Sequence, residues 1–330
     1  MRIVVTGATG FIGGKLAREL VKRGETVVTV ARDPAKAADL TALGVEVHKG
    51  DITDKASLVT PMRGADQLYH VAGWYKVGVR DGSPGQKINV EGTRHVLEVM
   101  RDAGVSKGVY TSTLAIYSDT HGVAVDESYR FTGTHISEYD RTKADAHKIA
   151  EEFIAAGLPL VIVQPGTVIG PDDTSGIRDT LIGYLQRRLP LIPAGQSFAW
   201  AHVDDIVEGH LLAMARGRVG ESYHISGDVM TLVDALDLAA TMTGIPAPTL
   251  RPGAGFFRVM AGIMGVVDRV VPVEGQFNPE MLRILSGVTY IASNAKARRE
   301  LGYDPRPLKD ALRETLAHEM RLLGMTMPTH

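Results

Sequence analysis

The chain has 330 residues, 44% of them hydrophobic, with a formal charge of −2 and no cysteine. That length allows one large domain or two unequal ones, and the near-neutral charge excludes the global basic field of a nucleic-acid binder. Without cysteine there are no disulfides, thiolate nucleophiles or cysteine metal sites, which suits a reducing cytoplasm; no secretory signal or membrane-spanning apolar run is evident, so membrane insertion is not expected.

The chain opens on Arg2 to Thr6, a short β-branched run that reads as a buried strand. Gly7, Gly10 and Gly13 follow at three-residue intervals, and Lys15 to Arg23 then shows helical spacing, stopped by Gly24. A strand, a glycine turn and a helix N-terminus make an anion site, because free backbone N–H groups and the positive end of the helix dipole face a diphosphate. Glycine is needed where a side chain would block the phosphate or the close helix–strand contact. Thr26 to Ala31 is the second strand, followed by Asp33-Pro34 as a cap and a helix over Ala35 to Leu43. Strands at Val45 to Lys49, Gln67 to Ala72, Val105 to Thr111 and Leu158 to Val163 come next, with a helix over Asn89 to Ala103. This alternation predicts an α/β fold: a doubly wound parallel sheet with helices on both faces.

After Gln164-Pro165-Gly166 the pattern becomes irregular, broken by prolines at 171, 190 and 193. Asp204 to Ala215, Thr231 to Thr243 and Leu308 to Leu323 read as helices, and Ser222 to Ile225 as a short strand. We expect residues 1–165 to form the dinucleotide-binding domain, with return segments near 200–226. Residues 166–199 and 227–330 would form a smaller mixed substrate lobe over the strand ends. Phe256 to Val273, interrupted by Arg258, Asp268, Arg269 and Pro272, reads as an ordinary buried helix, with a cover over a lipophilic pocket or a surface-docking segment as the alternatives. Asp204 and Asp205 beside His202 read as helix caps rather than a metal site, and no metal is expected. His70 either lines the cofactor or packs behind it. Trp74, Tyr75, Phe198 and Trp200 are candidates for a pocket wall, with core packing as the alternative.

The end of the second strand bears on the cofactor. Where an NAD site commonly has a carboxylate for the ribose 2′-hydroxyl, this chain has Ala31 followed by Arg32. A 2′-phosphate fits against Arg32, helped by Lys36, so NADP is favoured and NAD is the alternative. Tyr139 and Lys143 are four apart on a helix that Ser137 begins, one turn from each other on one face. A free tyrosine titrates at about 10, and a neighbouring ammonium is expected to lower that value, making the phenol a usable acid or base. Thr111-Ser112-Thr113 closes the fifth strand at the edge where the cofactor should lie, offering a hydroxyl for the substrate oxygen.

TGATGFIGG at the start, TSTLAIYS and YDRTK together resemble the extended short-chain dehydrogenase/reductase family, the epimerase/dehydratase superfamily, with a Rossmann-type fold. HVAG at 70–73, NVEGT at 89–93, QPGTVIGP at 164–171, AHVDD at 201–205 and LGYDP at 301–305 extend the resemblance over nearly the whole chain. The arginine after strand two resembles the dihydroflavonol-reductase-like branch. The resemblance implies that Tyr139 is the proton donor or acceptor, Lys143 its tuner and ribose ligand, and Thr113 the catalytic hydroxyl, with Ser112 as rival. It implies cofactor contacts at Gly7, Thr9, Gly10, Phe11, Ile12, Gly13, Asp51, Ile52, Val71, Ala72, Gly73, Thr111, Pro165 and Val168, with Asn89 supporting the catalytic residues. The expected activity is reduction of a carbonyl or oxidation of its alcohol. The first alternative is a nucleotide-sugar epimerase or dehydratase holding NAD; the second is a non-catalytic dinucleotide-binding protein. A homodimer is expected.

Overall fold

The computed structural model describes residues 1–79, 81–273 and 275–328. Strand β1 (Arg2–Thr6) runs into helix α1 (Phe11–Lys22), then β2 (Thr26–Ala31), a 3₁₀ turn over Pro34–Ala37, α2 (Ala38–Ala42), β3 (Glu46–Lys49), α3 (Lys55–Met62) and β4 (Gln67–His70). The short turn α4 (Ser83–Gly85) leads through a π-helical stretch, Gln86–Glu91, into α5 (Gly92–Asp102). Then come β5 (Lys107–Thr111), α6 (Glu138–Ala155), β6 (Leu160–Pro165), β7 (Thr167–Ile169), α7 (Gly176–Leu185), β8 (Ser197–His202), α8 (Val203–Arg216) and β9 (Ser222–Ile225). The remainder is β10 (Val229–Thr231), α9 (Leu232–Thr243), α10 (Ala254–Val267), α11 (Pro279–Ile284), β11 (Thr289–Tyr290), α12 (Ala295–Leu301) and α13 (Leu308–Leu322).

Seven strands form one parallel sheet in the order β3-β2-β1-β4-β5-β6-β9. Alternation along a strand sends its side chains to two separate cores. In β1, Ile3 and Val5 join the layer with Leu16 and Leu20 of α1 and Ile206 of α8, while Val4 joins Leu58 of α3, Val96 of α5 and Ile149 of α6. Both faces are therefore covered, as a parallel sheet requires. Strand order reverses between β1 and β4, which opens a crevice at their carboxyl ends.

A second, four-stranded sheet is centred on β8, which pairs with β10, β11 and β7. Its core of Trp200, Leu236, Leu312 and Leu316 is closed by α7, α9 and α13. Trp200 is thus a core residue, and its indole N–H donates to the Met230 carbonyl at 2.9 Å.

The late apolar stretch departs from expectation. α10 is helical but largely uncovered: Phe257 and Ala261 are buried against Leu282 of α11 and Met260 and Met264 partly so, while Phe256, Val259, Ile263 and Val266 are exposed. Hydrophobic residues predict a helix here, but the element that would cover its outer face is not supplied by the described residues. Among the described residues no helix is long and apolar enough to cross a membrane.

Candidate active site

The opening loop is built by steric exclusion. Gly7 sits at φ +78°, and a Cβ there would lie 2.7 Å from the Ala72 nitrogen. The Gly10 N–H donates to the Gly7 carbonyl at 2.9 Å and closes the turn. A Cβ on Gly13 would overlap that same carbonyl, so α1 can approach β1 closely only with glycine there. α1 begins at Phe11 with no side-chain cap and no acidic residue in its first turn. Its first N–H groups, which have no partner within the helix, are left to serve an anion.

A cleft of about 590 Å³ runs from this loop along the carboxyl ends of β1, β4, β5 and β6. Gly7, Thr9, Gly10, Phe11, Ile12 and Gly13 line one end, together with Arg32, Asp51 and Ile52. Val71, Ala72, Gly73, Thr111, Thr113, Tyr139, Lys143, Pro165 and Val168 line the rest. Two predicted residues stand apart. Lys36 is exposed and contributes nothing to the cleft wall. Asn89 is buried beside the cleft, where its carbonyl accepts from the Trp74 N–H at 2.7 Å and its amide donates to the Trp74 carbonyl and the Thr142 hydroxyl. Its side-chain groups are thus spent tying the loop after β4 to α6. Asp33 accepts from the Ala35 N–H at 3.1 Å, so its carboxylate caps the turn, while the exposed Arg32 lines the cleft.

At the other end Ser137 caps α6 by accepting from the Asp140 N–H at 3.0 Å, which sets the phase of Tyr139 and Lys143. The Lys143 ammonium donates to the Thr111 carbonyl at 2.8 Å and to the Tyr110 hydroxyl at 3.3 Å, and its burial lowers its pKa to about 7. Tyr139 does not show the expected lowering. Burial raises its phenol to about 12, opposed by the Thr113 hydroxyl and assisted by the Asp140 carboxyl. The lysine's hydrogen bonds go to Thr111 and Tyr110, and desolvation of the phenol dominates. Ser112 also lines the cleft, but its hydroxyl is bonded to His147 Nδ1 at 2.9 Å, while the Thr113 hydroxyl bonds Tyr139.

His70 packs behind the cleft. Its Nδ1 meets the Thr6 hydroxyl at 2.8 Å and its Nε2 the Thr93 hydroxyl at 3.1 Å, and burial lowers its pKa to about 3. His202, rather than Asp204 or Asp205, caps α8: its Nδ1 accepts from the Asp204 N–H at 3.2 Å. Asp205 instead holds Arg306 at 3.1 Å.

Trp74, Tyr75 and Phe198 line the cleft, together with Asp140, Asp173, Ile284 and Tyr290, which sequence reasoning missed. Asp140 was visible as the neighbour of Tyr139. Tyr290 and Ile284 lie over 140 residues away from it in the chain, with no local motif to mark them.

The profile of the NAD dependent epimerase/dehydratase family matches residues 3–226. Sterol demethylase protein B of Methylococcus capsulatus is 32% identical over 96% of this chain and 98% of its own length. A putative dihydroflavonol 4-reductase of Synechocystis is 33% identical over 74% of this chain and 73% of its own length. A Stigmatella aurantiaca ketoreductase of 4-hydroxy-2-methyl-3-oxo-4-farnesyl-3,4-dihydroquinoline-1-oxide is 30% identical over 95% and 96%. The solved structure of gox2253 superposes with a TM-score of 0.83 at 30% identity, covering 98% of this chain and 99% of that one. The glycine turn, the parallel sheet with its crevice and the match to residues 3–226 make this chain a member of the NAD dependent epimerase/dehydratase family of extended short-chain dehydrogenases/reductases, and an oxidoreductase.

Proposed function

We propose that the chain is an NADP-dependent reductase of a lipophilic ketone or aldehyde, able to oxidise the corresponding alcohol, with Tyr139 as acid and base. The observation that carries this reading is the convergence of Tyr139, Lys143 and Thr113 on the cleft that begins at the uncapped α1 turn. The cradle fits a dinucleotide: glycine at Gly7 and Gly13 lets the loop pass close to the Ala72 backbone and lets α1 pack against β1, and the uncapped first-turn N–H groups of α1 lie at its base. Gly10, Phe11 and Ile12 would hold the pyrophosphate and Arg32 a 2′-phosphate. Asp51, Ile52, Val71, Ala72, Gly73, Pro165 and Val168 would border the rest.

A dinucleotide held there would supply or accept the hydride. Tyr139 gives its proton to the substrate oxygen, which Thr113 orients through its hydroxyl. Lys143 then stabilises the phenolate as an ammonium, a form that its buried position otherwise disfavours. Asn89 fixes Trp74 and Thr142 and so places Lys143. Apolar lining from Trp74, Val77, Leu114, Phe198 and Ile284 supports a lipophilic substrate, as does the farnesylated ketone in the name of one relative. Phe256, Phe257, Met260 and Met264 do not line the cleft.

The test is NADPH oxidation with a 3-oxosteroid, a dihydroflavonol, a 2-alkyl-3-oxoalkanoate and short aldehydes. Tyr139→Phe should lower turnover by roughly 10²–10⁴-fold while dinucleotide binding is kept. A Tyr139→Phe protein with wild-type turnover removes the assignment, and tightly bound NAD with no turnover of carbonyls favours an epimerase.

A further inference from the structure

Eight of the seventeen exposed large hydrophobic residues among the described ones fall between positions 256 and 277, on α10 and just beyond it. Apolar residues scattered singly over a surface need no explanation, but a contiguous patch marks a contact. The helical period decides which face of α10 carries it. At about 100° per residue, Phe256, Val259, Ile263, Val266 and Val267 share an arc about 100° wide, and all five are exposed. Phe257 and Ala261 fall on the far side, buried against Leu282 of α11.

The width of this surface bears on what covers it. A single partner helix covers a narrow seam of a and d positions. Here the apolar arc is broader, and it runs on past the end of the helix to Val270, Val271 and Phe277, which are 83%, 59% and 60% exposed. A hydrocarbon layer matches such a surface. The charges beside it are cationic. Arg251 is paired with Asp237, whereas Arg258 and Arg269 on one flank of α10 and Arg283 on α11 are exposed and form no ion pair among the described residues. The carboxylates nearby are engaged: Asp268 accepts from the Val273 N–H at 2.8 Å and Glu280 from the Gly78 N–H at 3.1 Å. Glu274 lies outside the described residues. α10 has 14 residues, about 21 Å of helix, against a hydrocarbon core of about 30 Å, and one side of it already rests on α11. It can therefore lie flat on a bilayer but not cross one. The apolar arc would enter the acyl boundary while the arginines stay at the level of the headgroups.

We propose that α10 and the turn after it dock this protein on an anionic membrane surface, with the helix in the plane of the interface. α11 connects this face with the cleft, since Leu282 packs under α10 and Ile284 lines the cleft wall. Docking would thus bring the pocket beside the phase in which a lipophilic substrate dissolves. The docking itself does not rest on the reductase reading, because it needs neither cofactor nor substrate.

Flotation with vesicles of phosphatidylcholine, with and without phosphatidylglycerol, tests it. The wild type should float with the anionic vesicles and about tenfold less with the neutral ones, and added salt should weaken binding. The Val259→Asp/Ile263→Asp double variant should lose flotation about tenfold or more. Both positions are already 63% and 52% exposed, so the fold does not depend on them. Arg258→Ala/Arg269→Ala should lose the preference for anionic vesicles. Hydrogen exchange gives a readout on the wild type alone: amides of residues 256–271 should exchange more slowly when anionic vesicles are added. A wild type that floats with neither vesicle, equal flotation with both, or a double variant that floats like the wild type overturns the proposal. So does a dimer in sedimentation velocity that the double variant converts to monomer while neither protein floats, which assigns the face to a second copy of the chain. Flotation without any carbonyl reduction removes the reductase reading alone and leaves the docking surface standing.

Discussion

Lys143 and Tyr139 illustrate how burial and charge compete at a single residue. Spacing places them on one face of a helix, but the ammonium is buried and held by the Thr111 carbonyl. Its folded pKa of about 7 lies below the ordinary 10.5, so between those values the folded protein holds fewer protons than the unfolded chain. Stability from this group therefore rises as pH climbs through that window, and below it the cost of burying the charge is present in full. Lys143→Met should accordingly be most favourable for stability, relative to wild type, at about pH 6, with the difference shrinking toward about pH 10 in urea unfolding. Arg32 is a second case, exposed at the cleft without an ion-pair partner among the described residues. Arg32→Ala should weaken NADPH binding by about 10–100-fold, the value of a charge-assisted hydrogen bond to phosphate, and leave NADH binding unchanged in fluorescence titrations. Equal losses for both cofactors would place the 2′-phosphate elsewhere.

Among the elements, the π-helical stretch before α5 carries a task that its sequence does not advertise. Asn89 within it makes three buried hydrogen bonds, two to the backbone of Trp74 and one to Thr142, and so ties the loop after β4 to the helix bearing Lys143. Asn89→Leu should cost about 3 kcal/mol in urea unfolding, because the Trp74 N–H and carbonyl lose their partner in a buried place, and should lower turnover more than dinucleotide affinity. α10 shows the opposite relation between pattern and place. Its apolar residues predict a buried helix, yet Val259 and Val266 are 63% and 64% exposed. Composition identifies an apolar helix, but only packing reveals whether a partner covers it.

At the scale of the whole molecule, the cleft lies where the two sheets meet. β6 ends at Pro165 and β7 begins at Thr167, so the chain passes directly from the seven-stranded sheet into the four-stranded one at the cleft wall. A dinucleotide there would bind only the folded state. NADPH at about 100 times its dissociation constant should add about 2.7 kcal/mol of stability, read as a higher unfolding midpoint in thermal scans. NADH should give a smaller shift at equal concentration, and no shift from either would remove the dinucleotide reading.

Much of this was legible in the sequence, because its signals are local. A β-branched run, glycines at fixed intervals and a capping serine each act within one or two turns of chain. The strands of the large sheet, the α1 turn and the Tyr139–Lys143 face of α6 follow from them. The second sheet was not legible. β8 pairs with β7, β10 and β11 from three separate stretches of chain, and such pairing leaves no periodic mark within any one of them. The same holds for Tyr290 beside Asp140, for the occupation of Asn89 and for the rise of the Tyr139 phenol. Desolvation and long-range contact belong to the packed molecule, so only the tertiary structure decided them.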